Sequence, residues 1–247
     1  ISLITCFIIN ITIENITPTT TILFNRSNIT NLEKKMVYKI AFDGAHHIGK
    51  SSIAKIVAGI LGIVGVNAIY LEEMSTEASE RGLPINRETN LAAQRYILHR
   101  QFAEELRFTD YRKTGPNYQV IACDRGPANY CYLEHNVGPD QETLNMILDH
   151  HKKFPYDRIH YLPVIDREIS VGAGTRDLDK QFQLDMEKDT LNFLKEYFSE
   201  QLVEHSKPEP NDPNRTSWIE GIVNKTMEDL NREEKIKLDI KWLNTQL

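Results

Sequence analysis

Gly44-Ala45-His46-His47-Ile48-Gly49-Lys50-Ser51 is a complete G-x-x-x-x-G-K-[ST] octet. It stands between an apolar run, Val37-Tyr38-Lys39-Ile40-Ala41-Phe42, and a segment with apolar residues at helical spacing, Ser52-Ile53-Ala54-Lys55-Ile56-Val57-Ala58-Gly59-Ile60-Leu61. Strand, glycine-bounded loop and helix in this order predict a phosphate loop. The glycines let consecutive backbone N–H groups converge on a phosphate, and the positive end of the helix dipole points the same way. Residues Gly44, Ala45, His46, His47, Ile48, Gly49, Lys50, Ser51 and Ser52 are therefore expected to bind the phosphates of ATP or another nucleoside triphosphate. Lys50 is expected to reach the β- and γ-phosphates, and Ser51 to ligate Mg²⁺.

Working outward, Val66-Asn67-Ala68-Ile69-Tyr70-Leu71 reads as a second strand ending in Glu72-Glu73. The loop Arg81-Gly82-Leu83-Pro84-Ile85-Asn86 leads to a long helix from Leu91 to about Phe108. Tyr118-Gln119-Val120-Ile121-Ala122-Cys123 is a third strand, closing on Asp124-Arg125-Gly126-Pro127. Helices follow at 128–133 and 141–152, then a strand at 158–164, a loop over 166–175 and a helix over about 178–203. Strands separated by helices predict an α/β fold: a parallel sheet flanked by helices on both faces, with the ligand at the strand carboxyl ends. No fifth strand is evident. Trp218, Ile219, Ile222, Val223, Met227 and Leu230 recur at helical spacing, which predicts a C-terminal amphipathic helix packed back on the body.

Composition narrows the function classes. The chain has 247 residues, 40% hydrophobic and 26% charged, with 29 Lys and Arg against 35 Asp and Glu. The basic residues are scattered, so nucleic acid is not the expected partner. Cys6, Cys123 and Cys131 form no CxxC pair, which fits a reducing, cytoplasmic setting. No stretch reaches the length of a transmembrane helix. Ile, Thr and Asn fill 21 of the first 35 positions and no Met precedes Met36. This predicts that residues 1–35 are a disordered or non-native leader and that Met36 is the natural start. Residues 36–204 would then form the nucleotide-binding domain, and 205–247 a linker, marked by Pro208, Pro210 and Pro213, with a helical extension.

Together the phosphate loop, the acids Glu72-Glu73, the segment Gly82–Asn86 leading to Ala92-Ala93-Gln94, the Asp124-Arg125-Gly126-Pro127 strand end and an arginine-bearing loop before a helix resemble the P-loop kinase group. Within that group the order is similar to the NadR-type AAA domain family. The resemblance covers roughly residues 36–203. It implies a phosphotransferase acting on a small-molecule acceptor such as a nucleoside, nucleotide or ribosylnicotinamide-like compound. The alternative is a nucleotide-dependent switch that binds a protein or lipid partner. Asn224-Lys225-Thr226-Met227 begins like the guanine signature N-K-x-D but has Met where the base-pairing Asp must stand.

In such kinases Asp124 would hold the metal or a magnesium-bound water, and Arg125 would contact a phosphate or an acceptor group. One of Glu72 and Glu73 would align the acceptor hydroxyl, since neighbours on an extended strand point to opposite sides; Glu72 is preferred slightly. Gln94 would read the acceptor or pack its helix. Arg176, better based than Arg167, would meet the developing phosphoryl charge. His46 and His47 read as pocket-rim residues and His150-His151 as a helix-surface pair, and no His/Cys/Asp grouping has zinc spacing.

Overall fold

The computed structural model describes residues 6–14, 37–109, 118–165, 179–209, 212, 215–232 and 235–243. The chain divides into two units: residues 36–207, and residues 1–35 together with 208–247.

In chain order, the first strand is β1 (Cys6–Glu14), which belongs to the second unit. The larger unit begins with β2 (Tyr38–Asp43), five of whose six residues are buried, as a central strand of a parallel sheet requires. Helix α1 (Lys50–Ile63) follows the loop, then β3 (Ala68–Leu71), α2 (Met74–Glu80), α3 (Leu91–Thr109) and β4 (Val120–Cys123). After β4 come α4 (Tyr130–Asn136), α5 (Gln141–Lys153), β5 (Arg158–Tyr161), α6 (Lys180–Tyr197) and β6 (Leu202–Glu204). The five strands are parallel in the order β3-β4-β2-β5-β6. After β4 the chain crosses to the far side of β2, so the carboxyl ends of β2 and β4 face a crevice where this topology binds ligands. Asp140 and Asp179 cap α5 and α6 by accepting backbone N–H bonds, which fixes where both helices start.

A fifth strand is therefore present. Residues 202–203, expected to end a long helix, lie instead in β6, paired with β5 from Ile159↔Leu202 to Tyr161↔Glu204. The helix stops at Tyr197 without a Gly or Pro to announce it, and a three-residue, half-exposed edge strand has too few positions to show a period.

The second unit pairs β1 antiparallel with β7 (Lys235–Leu243), from Cys6↔Leu243 to Glu14↔Lys235. A strand thus stands within the leader that composition predicts to be unstructured. Its partner lies more than 200 residues away, beyond the reach of local reading. Helix α7 (Thr216–Asp229) buries Trp218, Ile219, Ile222, Val223 and Met227, the apolar stripe expected there. Its Asn224 side chain accepts from the Ile236 N–H (2.7 Å) and donates to the Ile236 carbonyl (2.9 Å), while Glu220 accepts from the Leu238 N–H. These bonds satisfy the β7 edge that β1 leaves open and support a sheet that two strands alone would hold only marginally. Among the described residues no helix is long and apolar enough to cross a membrane.

At the amino end of the central sheet, Lys39 and Glu105 form a buried ion pair at 2.6 Å. The Lys39 ammonium also donates to the Phe154 carbonyl, and Glu105 accepts from Gln101 and Tyr156. Next to this pair, His150 and His151 depart from the expected surface pair. His150 stacks on Phe102 with ring centroids 3.8 Å apart, and His151 is enclosed by Tyr156 and Phe198. The two rings diverge around the helix as neighbours must, but the turn through Phe154 and Tyr156 covers both directions.

Burial holds His151 neutral, pulling its pKa to about 3. Between that value and about 6.5 the unfolded chain binds a proton that the folded chain refuses, so His151 costs stability as pH falls. Asp43 and Asp124, raised by burial, act in the opposite sense, so the term is isolated by comparing two chains. Between pH 7.5 and pH 5 the wild type should lose about 2 kcal/mol more than His151→Phe in urea unfolding. Equal acid sensitivity of the two would show that His151 is not buried neutral.

Candidate functional site

The site grows from the end of β2. Asp43, the last residue of that strand, is fully buried and accepts hydrogen bonds from the N–H groups of Gly126 (3.2 Å) and Ala128 (3.5 Å). This ties the root of the phosphate loop to the turn after β4. A side chain at Gly126 would come within 2.5 Å of Asp43 Oδ2 and 2.9 Å of Ala41 Cβ, so only glycine allows the approach. At the other end of the tie, Gly44 has φ +142° and a Cβ there would overlap the Leu162 carbonyl. Gly49 caps α1 with φ +87°, a conformation that glycine takes without strain.

Inside the loop, Lys50 is buried and its ammonium donates to the Gly44 carbonyl at 3.0 Å and the Ala45 carbonyl at 2.6 Å. Burial and the neighbouring Arg125 pull its pKa down to about 7, against Glu73, Asp124 and Asp43, which favour the charged form. An ammonium held this way gains strongly from an incoming polyanion. His46 lies deeper than the rim position expected for it, with 5% of its surface exposed. Its ring packs on Phe182, and its carbonyl accepts from Gln183 Nε2 at 2.6 Å, so α6 braces the loop. His47 is half-buried against His46.

Ser51 lies close enough to favour the charged form of the Asp124 carboxylate, and Tyr70 donates its hydroxyl to Asp124 Oδ2 at 2.8 Å. Asp124 Oδ1 is buried and has no hydrogen-bond partner among the described residues. Burial and the nearby Glu73 raise the Asp124 pKa. A strand-end carboxylate beside the loop serine, with one orphaned oxygen and a strained negative charge, is a set of hard oxygen donors fitted to a Mg²⁺ ion.

Arg125 extends from the same strand end. It donates from Nε to Glu73 Oε1 at 2.8 Å and lies over the Tyr132 ring at 4.8 Å. Burial opposes its charge, but Glu73 and Tyr132 more than compensate, so it stays ionised. Of the two acids, Glu73 faces the site and Glu72 is exposed, which reverses the slight preference for Glu72. The chain turns directly from β3 into α2 with Glu73 at the cap position, and this turn decides which acid faces inward.

Two small cavities adjoin here. One, about 50 Å³, has His46, His47, Gly49, Lys50 and Ser51 on one side. Its opposite wall is Glu73, Ser75, Asn86 and Arg125, and these four also line the second cavity, about 30 Å³, with Gln94, Asn129 and Tyr132. Gln94 donates to Thr89 Oγ1 at 2.8 Å, and Asn129 Nδ2 is buried without a partner among the described residues. Ser52 is exposed on α1. Arg167 and Arg176 lie outside the described residues. Asp43, Tyr132 and Gln183 carry no motif; only their positions near strand ends and on α4 and α6 could have marked them.

No protein-family model matches the chain, and neither does any curated protein sequence. Solved structures do match. The crystal structure of NadR protein in complex with NR superposes with a TM-score of 0.59 at 16% identity, covering 78% of this chain and 51% of that one. NadR protein in complex with NAD and AMP-PNP gives 0.54 at 14% identity, covering 78% and 49%. Thymidylate kinase from Candida albicans gives 0.50 at 16% identity, covering 82% and 98%. The chain spans about half the length of the NadR chains. What these neighbours share with it is the α/β fold of P-loop kinase-like NTPases.

Proposed function

We propose that this P-loop kinase-like chain transfers the γ-phosphoryl group of ATP, or of another nucleoside triphosphate, to a hydroxyl of a small ribosylated acceptor. The observation that carries the reading is the pair of adjoining cavities sharing Glu73 and Arg125, one over the phosphate loop and one beyond it. The triphosphate would lie on residues 44–52. Lys50, released from the Gly44 and Ala45 carbonyls, would turn to the β- and γ-phosphates. Mg²⁺ held by Ser51 and Asp124 would neutralise charge on the phosphate oxygens.

The acceptor would enter the second cavity, where Glu73 takes the hydroxyl proton as the acceptor oxygen bonds to phosphorus and the nucleoside diphosphate leaves. Arg125 would fix Glu73 and steady the acceptor, and Arg176 is proposed, from the sequence, to meet the developing charge. Among the described residues that line the second cavity, the cation Arg125 is already paired with Glu73, which leaves none there for a phosphate of the acceptor. This favours a neutral nucleoside or ribosylnicotinamide-like compound over a nucleotide, and NadR, one of the structural neighbours, is found in complex with NR.

The test is release of nucleoside diphosphate from ATP and Mg²⁺ in the presence of nucleosides, ribosylnicotinamide and nucleoside monophosphates. A riboside without a phosphate should stimulate release at least about tenfold over hydrolysis by water, since a positioned acceptor and base contribute far more than that. If no acceptor stimulates release while nucleotide binds tightly, the chain acts as a nucleotide-dependent switch instead.

A further inference from the structure

Tyr70 is the next-to-last residue of β3, and the parallel register sets it opposite Ala122 of β4, with Leu71 opposite Cys123. The ladder runs one residue past β4, because the Asp124 N–H donates to the Leu71 carbonyl at 2.9 Å. Residues two apart on a strand share a face, so Asp124 stands on the same side of the sheet as Ala122 and its neighbour Tyr70. Along that face the Tyr70 hydroxyl donates to Asp124 Oδ2 at 2.8 Å. Helix α1 contributes from above. Lys55 stands four residues after Ser51, hence on the same helix face, and its ammonium lies over the Tyr70 ring at 5.0 Å.

Tyr70 is half-buried on an edge strand, and the contact with Lys55 accounts for an aromatic ring there. Phenylalanine would serve that purpose equally well. The hydroxyl needs another reason, and its acceptor is the one carboxylate that, with Ser51, forms the donor set fitted to Mg²⁺. The terminal torsion of an aspartate is broad, so a strand-end carboxylate left to itself turns freely. A group that hydrogen-bonds a metal ligand from behind fixes its orientation, and losing such a group typically costs about 10–100-fold in metal affinity.

We infer that Tyr70 is a positioning residue for the magnesium ion: by holding Oδ2 it fixes the Asp124 carboxylate and leaves Oδ1 to meet the ion or one of its waters. The inference rests on the reading of Ser51 and Asp124 as the residues that hold magnesium. Tyr70 itself touches neither nucleotide nor metal in this role. It acts through Asp124 alone.

The test is calorimetry of a nonhydrolysable ATP analogue on the full chain, in saturating magnesium and again in EDTA. The ratio of the two affinities measures what the metal contributes, by linkage. Tyr70→Phe keeps the ring under Lys55 and removes only the hydroxyl. It should lower the ratio about tenfold or more, while the affinity in EDTA stays within about twofold of the wild type. Beside Asp124→Asn the same change should lower the ratio no further, because the two residues act as one unit. An unchanged ratio in Tyr70→Phe, an equal loss in magnesium and in EDTA, or a loss that persists undiminished beside Asp124→Asn would each overturn the proposal. Should Asp124→Asn not fold, the split between magnesium and EDTA in Tyr70→Phe decides alone. Failure of the underlying reading looks different: the wild type would gain nothing from magnesium, or Asp124→Asn would keep the full gain, and the proposal would fall with it.

Discussion

Replacing Lys50 by alanine is expected to weaken binding of a nonhydrolysable ATP analogue by at least about 10²-fold while leaving the fold intact. Hydrogen bonds to charged groups contribute about 1.5–3 kcal/mol each, and a lysine on the β- and γ-phosphates makes at least two. The same substitution should not unfold the protein. The Lys50 ammonium is buried and its pKa is pulled to about 7, so in the empty loop its charge is a burden on the folded state. Its partners there are the buried carbonyls of Gly44 and Ala45, and because Lys50 itself lines the cavity, water entering the space its side chain leaves can take the place of the ammonium. Calorimetry with magnesium present, beside a circular-dichroism melt, separates the two effects. Unchanged affinity would show that the octet does not hold phosphates; a collapsed melt would show that Lys50 is a structural residue.

The fold was legible where sequence carries local geometry. The glycine spacing at 44 and 49 announced the loop because few other residues accept those backbone angles, and the buried runs at 38–43 and 120–123 could only be interior strands. Legibility failed where the decision belongs to a distant partner. Strand β6 exists because β5 offers it an edge, and β1 because β7 does; neither shows in its own residues. Lys39 sits in a core strand against every local rule, and only Glu105, on α3, makes it tolerable. The site divides in the same way. Its phosphate-loop half is a continuous octet, whereas the half proposed for the acceptor is assembled from Glu73, Gln94, Arg125, Asn129 and Tyr132 on four separate segments. Asp124 and Arg125 were visible because a charged pair at the end of a buried strand is unusual; Tyr132, on a short helix beyond it, had no such contrast.

The choice between Glu72 and Glu73 turns this geometry into a second large expected effect. Glu73→Gln should lower acceptor-dependent turnover by about 10²–10⁴, the range a positioned general base supplies, whereas Glu72→Gln should leave it unchanged. Glutamine keeps an oxygen that can accept from Arg125 Nε, now 2.8 Å from the carboxylate, so the second cavity should hold its shape while losing its proton acceptor. Glu73 also helps keep Lys50 protonated, so its loss should weaken triphosphate binding somewhat. Turnover is therefore compared at saturating ATP, where that secondary effect cancels and the loss on the transfer step remains. Glu72 points to solvent, and its amide should change neither binding nor transfer. A fall in Glu72→Gln without one in Glu73→Gln would mean that the β3–α2 turn rearranges when substrates bind. Full turnover in both variants would mean that the acceptor gives up its proton without help from either acid, and that Glu73 serves only to hold Arg125 in place.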